Sequence, residues 1–218
     1  TLTTGISNVS TTAISVASTA DFPSSGYILI GSEIIQYTST TSTTFAGTIT
    51  RGVFGTTNVA HTAGAAITEV QGVASSSTAG SILFNATDYS NGVSIDSTDK
   101  SKVVFATPGI YNIMVSAQLL NFTTTEDNAT FWFRLNGTDI ANTASIEQVN
   151  SKHGSSPGAT ILAYNIFQEV AANDYIQVKW SSDTGNTVTA TYPAGTSPVH
   201  PVSPAIILTA QFVSAPPA

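Results

Sequence analysis

Residues 129–137 read ATFWFRLNG. Ala129, Phe131, Phe133 and Leu135 alternate with Thr130, Trp132 and Arg134, the period-two pattern of a strand with one buried face. Asn136-Gly137 follows, a dipeptide that suits the two positive-φ positions of a type I′ turn, so the chain should double back as a hairpin. Working outward, the pattern recurs. Upstream, 102–105 leads through Pro108-Gly109 into 110–120 (IYNIMVSAQLL). Downstream, 160–168 (TILAYNIFQ) precedes the turn Ala172-Asn173-Asp174 and the strand 175–180 (YIQVKW). A Pro-rich loop over 192–204 leads to a last strand over 205–213 (AIILTAQFV). About eight strands at this spacing predict an antiparallel sandwich of the jelly-roll type.

The N-terminal part has shorter strands. Residues 13–18 (AISVAS) alternate, 21–26 (DFPSSG) break the chain, and 27–38 (YILIGSEIIQYT) read as two strands or one bent at Gly31. Residues 43–51 and 65–70 complete a β module of about 70 residues, whose core is marginal alone. Residues 71–81 (QGVASSSTAGS) have no apolar periodicity. The expected organisation is therefore a small β module over 1–70, a linker over 71–80, the sandwich over 81–214 and a frayed tail over 215–218.

Composition agrees with an all-β chain. Ser and Thr contribute 61 of 218 residues and charged residues only 9%, against roughly 25% in ordinary soluble proteins. Thr fits pleated strands and Ser fits turns, while no run of helix-forming Glu, Lys, Arg and Ala exists. The net charge is −7, and six Lys and Arg are scattered. Nucleic-acid binding needs a basic stripe to neutralise phosphates, so no nucleic-acid partner is expected. No cysteine is present, which excludes disulfides, thiolate metal sites and a Cys nucleophile. No apolar stretch approaches the ~20 residues that span a bilayer, and the N-terminus carries no signal-peptide pattern, so no membrane partner is expected. Met114 is the only methionine; the chain reads as a whole gene product whose initiator was removed.

The motif order FATPGIYNIMVSAQL, FWFRLNGTDIA, FQEVAANDYIQVKW and AIILTAQFV resembles the C1q/TNF-like trimeric jelly roll over most of 80–214. The Pro-Gly-x-Tyr strand start, the Leu-Asn-Gly turn and the Asn-Asp-Tyr strand start carry the likeness. Residues 6–70 resemble a small module recurrent in bacteriophage virion proteins. Its marks are a strand ending at Phe22-Pro23, an Ile30-Gly-x-Glu33 strand and an Arg51-Gly-x-x-Gly-Thr56 loop. The cysteines common in C1q-type domains and a collagen-like stem are missing, so no family ligand contacts carry over. The resemblance implies a homotrimer whose inter-subunit sheet includes the strands of Tyr111, Tyr175 and Phe212. On 129–135, Trp132 and Arg134 should point away from the core, as exposed partner contacts.

Candidate chemistry is thin. Glycan cleavage needs two carboxylates across a cleft, whereas Glu126 and Asp127 are adjacent in a Thr-rich stretch and read as a solvated loop tip. Asp96 and Asp99 have oxygens suited to calcium but lack the rest of a binding loop, so they read as a turn. His61, His153 and His200 are far apart, with no Gly-x-Ser-x-Gly elbow to support a triad. No enzyme activity, catalytic residue, metal or cofactor is expected. The expected function is a capsid decoration or cement homotrimer that stabilises the shell. Its partners are itself and the major capsid protein or other virion proteins, on a particle surface assembled in the host cytoplasm. The alternative is a receptor-binding tail-fibre tip recognising a host surface glycan.

Overall fold

The computed structural model describes residues 1–73, 77–192 and 194–216, and these contain strands, turns and no helix. Residues 74–76 of the expected linker, residue 193 of the Pro-rich loop and residues 217–218 of the expected tail lie outside the described residues.

The N-terminal segment supplies β1 (Ile14–Ser15), β2 (Gly26–Ile30), β3 (Glu33–Tyr37), β4 (Ser39–Thr41), β5 (Thr44–Ala46) and β6 (Thr68–Gly72). The stretch with two possible readings is a hairpin: β2 pairs antiparallel with β3, and Gly31 turns the chain at φ 61°. β1, β5 and β4 form a small sheet, and the two sheets enclose Ile14, Val16, Ile28, Ile30, Ile35, Tyr37 and Phe45. The Phe-Pro turn belongs to this core. The Phe22 ring meets Phe45 edge-on at 5.0 Å, and the Tyr37 hydroxyl donates to the Pro23 carbonyl at 3.0 Å.

The rest supplies β7 (Gly80–Ser81), β8 (Val93–Ile95), β9 (Val103–Phe105), β10 (Gly109–Asn121), β11 (Asp127–Leu135), β12 (Thr138–Asp139), β13 (Ser145–Val149), β14 (Gly158–Val170), β15 (Tyr175–Ser182), β16 (Thr187–Ala190), β17 (Gly195–Thr196), β18 (Val199–His200) and β19 (Ile206–Ser214). One sheet runs β12-β11-β15-β9-β8, with β13 also on β11 and β7 on β15. In the facing sheet, β14 pairs along the whole of β10, and β19 and β16 share the other edge of β10. Phe105, Ile113, Val115, Phe131, Phe133, Val178 and Trp180 fill the space between. These are the inward members of the alternating strands, as the period-two pattern requires. Asn136 and Gly137 take φ 48° and 84° between β11 and β12, the expected hairpin turn.

The two parts share one sheet. β16 pairs with β6, and through it the sheet runs on into β2 and β3. A third apolar cluster lies along this seam, with Ile34 and Val70 from one side and Leu120, Phe122, Val188 and Ala190 from the other. Phe54 packs against it at φ 55°, a conformation that bulky residues rarely adopt. Its ring lies 4.8 Å from that of Tyr27 and over Gly72, where a Cβ would come within 2.3 Å of Phe54 Cζ.

Candidate functional site

On the outer side of the β14-β10-β19 sheet, the alternation that buries Ile113 and Val115 turns Met114 outward, with Ile161 and Phe167 from β14 and Ile207 from β19. Their exposures are 44%, 62%, 66% and 50%. The strand register arranges this face in rows. Phe167, Asn112 and Gln211 form one, Asn165, Met114 and Thr209 the next, and Ala163, Ser116 and Ile207 the third. Asn165 donates to Asn112 at 2.8 Å across the face. Within these rows there is no charge; Glu169, opposite Ile110, lies at one end. Large apolar side chains set among amides and hydroxyls make a surface with no charge to desolvate, whose amides must find hydrogen-bond partners wherever it is covered.

The residues offered by the resemblance for subunit contact are not the ones that make this face. Tyr111 is 3% exposed, its ring between Phe105 and Phe212 and its hydroxyl donating to the Thr107 carbonyl at 3.0 Å. Phe212 is half exposed and covers Gly109, where a Cβ would meet its ring at 2.4 Å. Tyr175 lies on β15, in the other sheet, with Lys102 Nζ 4.7 Å from its ring centre. The structure therefore brings Tyr111 and Phe212 together and leaves Tyr175 apart. The outward set on β10 and β14 follows from the same alternation once the core side of each strand is known.

On the opposite sheet, Phe131 and Phe133 are fully buried, so Trp132 and Arg134 stand on the outer face of β11. Both are tied down by one carboxylate: Trp132 Nε1 donates to Asp139 Oδ1 at 2.9 Å and Arg134 Nε donates to it at 2.7 Å. Lys179 sits opposite Trp132 on β15 and donates to Ser81 Oγ at 2.8 Å. Partial burial and the nearby Arg134 guanidinium lower the Lys179 pKa. Asp139 is held below the usual carboxylate range by its bonds from Arg134 and Trp132.

Two carboxylates are buried. Glu33, at the end of the Ile-Gly-x-Glu motif, is fully enclosed. It accepts Arg51 Nε at 2.6 Å and Arg51 Nη2 at 2.7 Å, a bidentate pair, and also the Val59 N–H at 3.1 Å, with His61 Nε2 at 2.8 Å. Arg51 spends its remaining donors on the carbonyls of Ser7, Ser10 and Val59. Burial alone would raise the Glu33 pKa, but the bonds from Arg51, Val59 and His61 outweigh it and the net shift is downward. Two of the three marks of the virion-module likeness, the Ile-Gly-x-Glu strand and the Arg-Gly-x-x-Gly-Thr loop, are thus halves of one buried knot. Thr56, closing the second motif, accepts the Ile34 N–H at 3.0 Å and donates to the Val53 carbonyl at 2.8 Å.

The second is Asp127, and it corrects the expectation of a solvated loop tip. Glu126 is exposed, but Asp127 is 3% exposed. It accepts Ser182 Oγ at 2.5 Å, Thr187 Oγ1 at 2.7 Å and the N–H groups of Thr184 and Thr187 at 3.0 Å. It organises the turn between β15 and β16. Successive strand residues point to opposite faces, and β11 begins at Asp127, two residues before the strand read over 129–135.

The other candidates are accounted for locally. Asp96 Oδ1 accepts the N–H groups of Thr98 and Asp99, and Asp99 Oδ1 accepts Ser101, which makes the expected turn. His153 pairs through its backbone with Ser156, and the His200 ring lies against the Pro201 carbonyl. No histidine ring bonds to a Ser or Thr hydroxyl among the described residues, and none of them form a cluster of three His, Asp or Glu suited to a metal.

The three short motifs of the jelly-roll resemblance converge at one end of the sandwich. Asn136 Nδ2 donates to Asp174 Oδ1 at 2.7 Å, and Asn136 Oδ1 accepts the Tyr175 N–H at 3.0 Å. Phe105, just before the Pro-Gly turn, exchanges backbone hydrogen bonds with Asn173 and Asp174 at 2.7 and 2.9 Å. No protein-family model matches the chain, and no curated protein matches it in sequence.

Proposed function

We propose that this chain is a non-enzymatic structural protein of a bacteriophage particle, a capsid decoration protein that assembles as a homotrimer through a C1q/TNF-like sandwich. The observation that carries the reading is the uncharged outer face of β14, β10 and β19. It exposes Met114, Ile161, Phe167 and Ile207 on one side of the sheet. Monomeric proteins seldom leave such a face open, and burial of apolar surface against another copy removes it from water. The resemblance of the sandwich motifs supplies the threefold arrangement, and the virion-module likeness of 6–70 supplies the particle. Trimerisation suits a cement role. Three copies of the small module fixed together bind a repeated lattice far more strongly than one, because the second and third contacts are intramolecular.

Multi-angle light scattering tests the first step and should return about three times 22.5 kDa. A monomer at micromolar concentration overturns it. Counting copies per particle tests the second, since a decoration protein is present in numbers comparable to the shell subunits. A few copies per particle would instead support the tail-fibre reading, whose partner is a host surface glycan.

A further inference from the structure

β19 is hydrogen-bonded to β10 on one side only, and its other edge borders a cleft of about 460 Å³. The opposite wall is the segment from Leu83 to Asn91 with β8, and Glu69 of β6 reaches in from the seam. The volume lies within the ~300–1,000 Å³ of small-molecule sites. The inner part is apolar, with Phe84, Ile206 and Leu208, while the rim carries amides, hydroxyls and carboxylates. Glu69 accepts Asn85 Nδ2 at 3.0 Å and has no other side-chain hydrogen bond among the described residues. Tyr89 stands at the rim and is 87% exposed.

The chemistry of the lining narrows the occupant. Two carboxylates, Glu69 and Asp88, line the cleft, and no Lys, Arg or His does. An anionic ligand would therefore meet repulsion with no compensating cation. A purely apolar one would cover Glu69 and the edge of β19 without satisfying them, which costs free energy for each orphaned group. A cationic ligand would gain little from Glu69, whose pKa burial pushes up to about 7 so that it is only partly ionised near neutrality, and Asp88 alone would face it. The fitting ligand is therefore uncharged and rich in hydrogen-bond donors, and it has an apolar face for the Tyr89 ring and the Phe84–Ile206 wall. Those are the properties of a pyranose. Its hydroxyls donate to carboxylates and carbonyls, and its C–H face lies on aromatic and aliphatic surface. We propose that this cleft is a binding site for a neutral saccharide, with Glu69 as its principal acceptor and Tyr89 as its stacking platform. The proposal does not rest on the particle reading, but Ile207 and Thr209 of the proposed trimer face also border the cleft, so sugar binding is measured on the full chain in the oligomeric state that light scattering finds.

Saturation-transfer NMR on the full chain is the test. The panel would hold the methyl glycosides of glucose, galactose, mannose and N-acetylglucosamine, with lactose and maltose. N-acetylneuraminic acid serves as the anionic comparator and lysine methyl ester as the cationic one. At least one neutral sugar should bind saturably and the two comparators should not. Glu69→Gln keeps the shape and Tyr89→Ala alters an exposed side chain, so both variants should keep the wild-type amide spectrum outside the cleft. Each should weaken the sugar by about tenfold or more, the loss of one good contact. The proposal is overturned if no neutral sugar in the panel binds at millimolar concentration. It is equally overturned if binding survives both substitutions, or if either charged comparator binds better.

Discussion

Glu33→Gln tests whether the buried knot holds the N-terminal part together. The change preserves shape but turns one acceptor oxygen into an NH₂ group. That group would face the Arg51 guanidinium, the Val59 N–H or His61, all of which now point at the carboxylate. Arg51 would remain enclosed with only carbonyls as partners. Breaking a buried ion pair from one side costs about 3–5 kcal/mol, because a charge is left uncompensated. A core the size of this module's supplies little more than that. The expected outcome is selective opening of residues 1–67, read by hydrogen–deuterium exchange as lost protection in β2 and β3 at conditions where β10 and β14 stay protected. Replacing both partners, Glu33→Leu with Arg51→Met, should cost less than either single change, since no charge is then stranded. The sign with pH follows from the lowered Glu33 pKa. Its stabilisation is complete above the ordinary glutamate value of 4.5 and is lost as pH falls below it through the folded value. The reasoning is refuted if Glu33→Gln leaves β2–β3 protection unchanged, or if the double replacement is worse than both single ones.

Three further outcomes are expected. Asp127→Ala strands three buried donors and a partly buried one around the Ser182–Thr187 turn and should cost about 3 kcal/mol in urea unfolding, while Glu126→Ala should change nothing measurable. Ile161→Asp with Phe167→Asp places charges on the open sheet face without touching the core, and light scattering should show the assembly reduced to monomers with an unchanged circular dichroism spectrum. Glu69 works against Glu33 and Asp127: burial pushes its pKa up to about 7. Its protonated form is therefore stabilising, fully below 4.5, and that contribution is lost as pH rises through about 7. The ceiling is roughly 3 kcal/mol. Thermal melts should place the wild-type optimum on the acid side of neutrality, and Glu69→Gln should flatten the neutral limb.

The strands most legible in the sequence are those with one wet face. Along β11 and β15 inward apolar residues alternate with mostly polar outward ones, β10 keeps the same period but for the outward Met114 and the Leu119-Leu120 pair, and the structure starts and ends each strand within a few residues of the pattern. β16 was invisible for the opposite reason. Thr187–Ala190 is four residues long and buried on both faces, at the seam where β10 and β6 flank it, so the alternation of TVTA marks no wet face and is too short to stand out. β8 and β13 are short and lie at sheet edges, where polar residues are tolerated on either side. The site was less legible than the fold. The sequence marked aromatic residues as contacts, yet the strand that makes Tyr111 conspicuous turns it inward and turns the plainer Met114 out.

The seam also decides how the two parts act on each other. A Ser- and Gly-rich stretch between two modules suggests independent bodies on a tether, but β6 is hydrogen-bonded to β2 on one side and β16 on the other. Removing 1–72 would leave one edge of β16 unpaired and expose Leu120, Phe122 and Val188, so the sandwich alone would carry an apolar wound beside its open face. Removing the small module is therefore a poor way to ask what that module does. Arg51 and Glu33 lock the loop that holds Phe54, and Phe54 closes over Gly72 in the seam strand. Force applied to the N-terminal part is thus transmitted through a continuous sheet into β10, the strand that carries Met114 on the proposed trimer face. In the proposed cement role, a rigid joint would serve better than a tether. A tether lets the two parts move apart freely, whereas here the β6–β16 pairing must break before they separate.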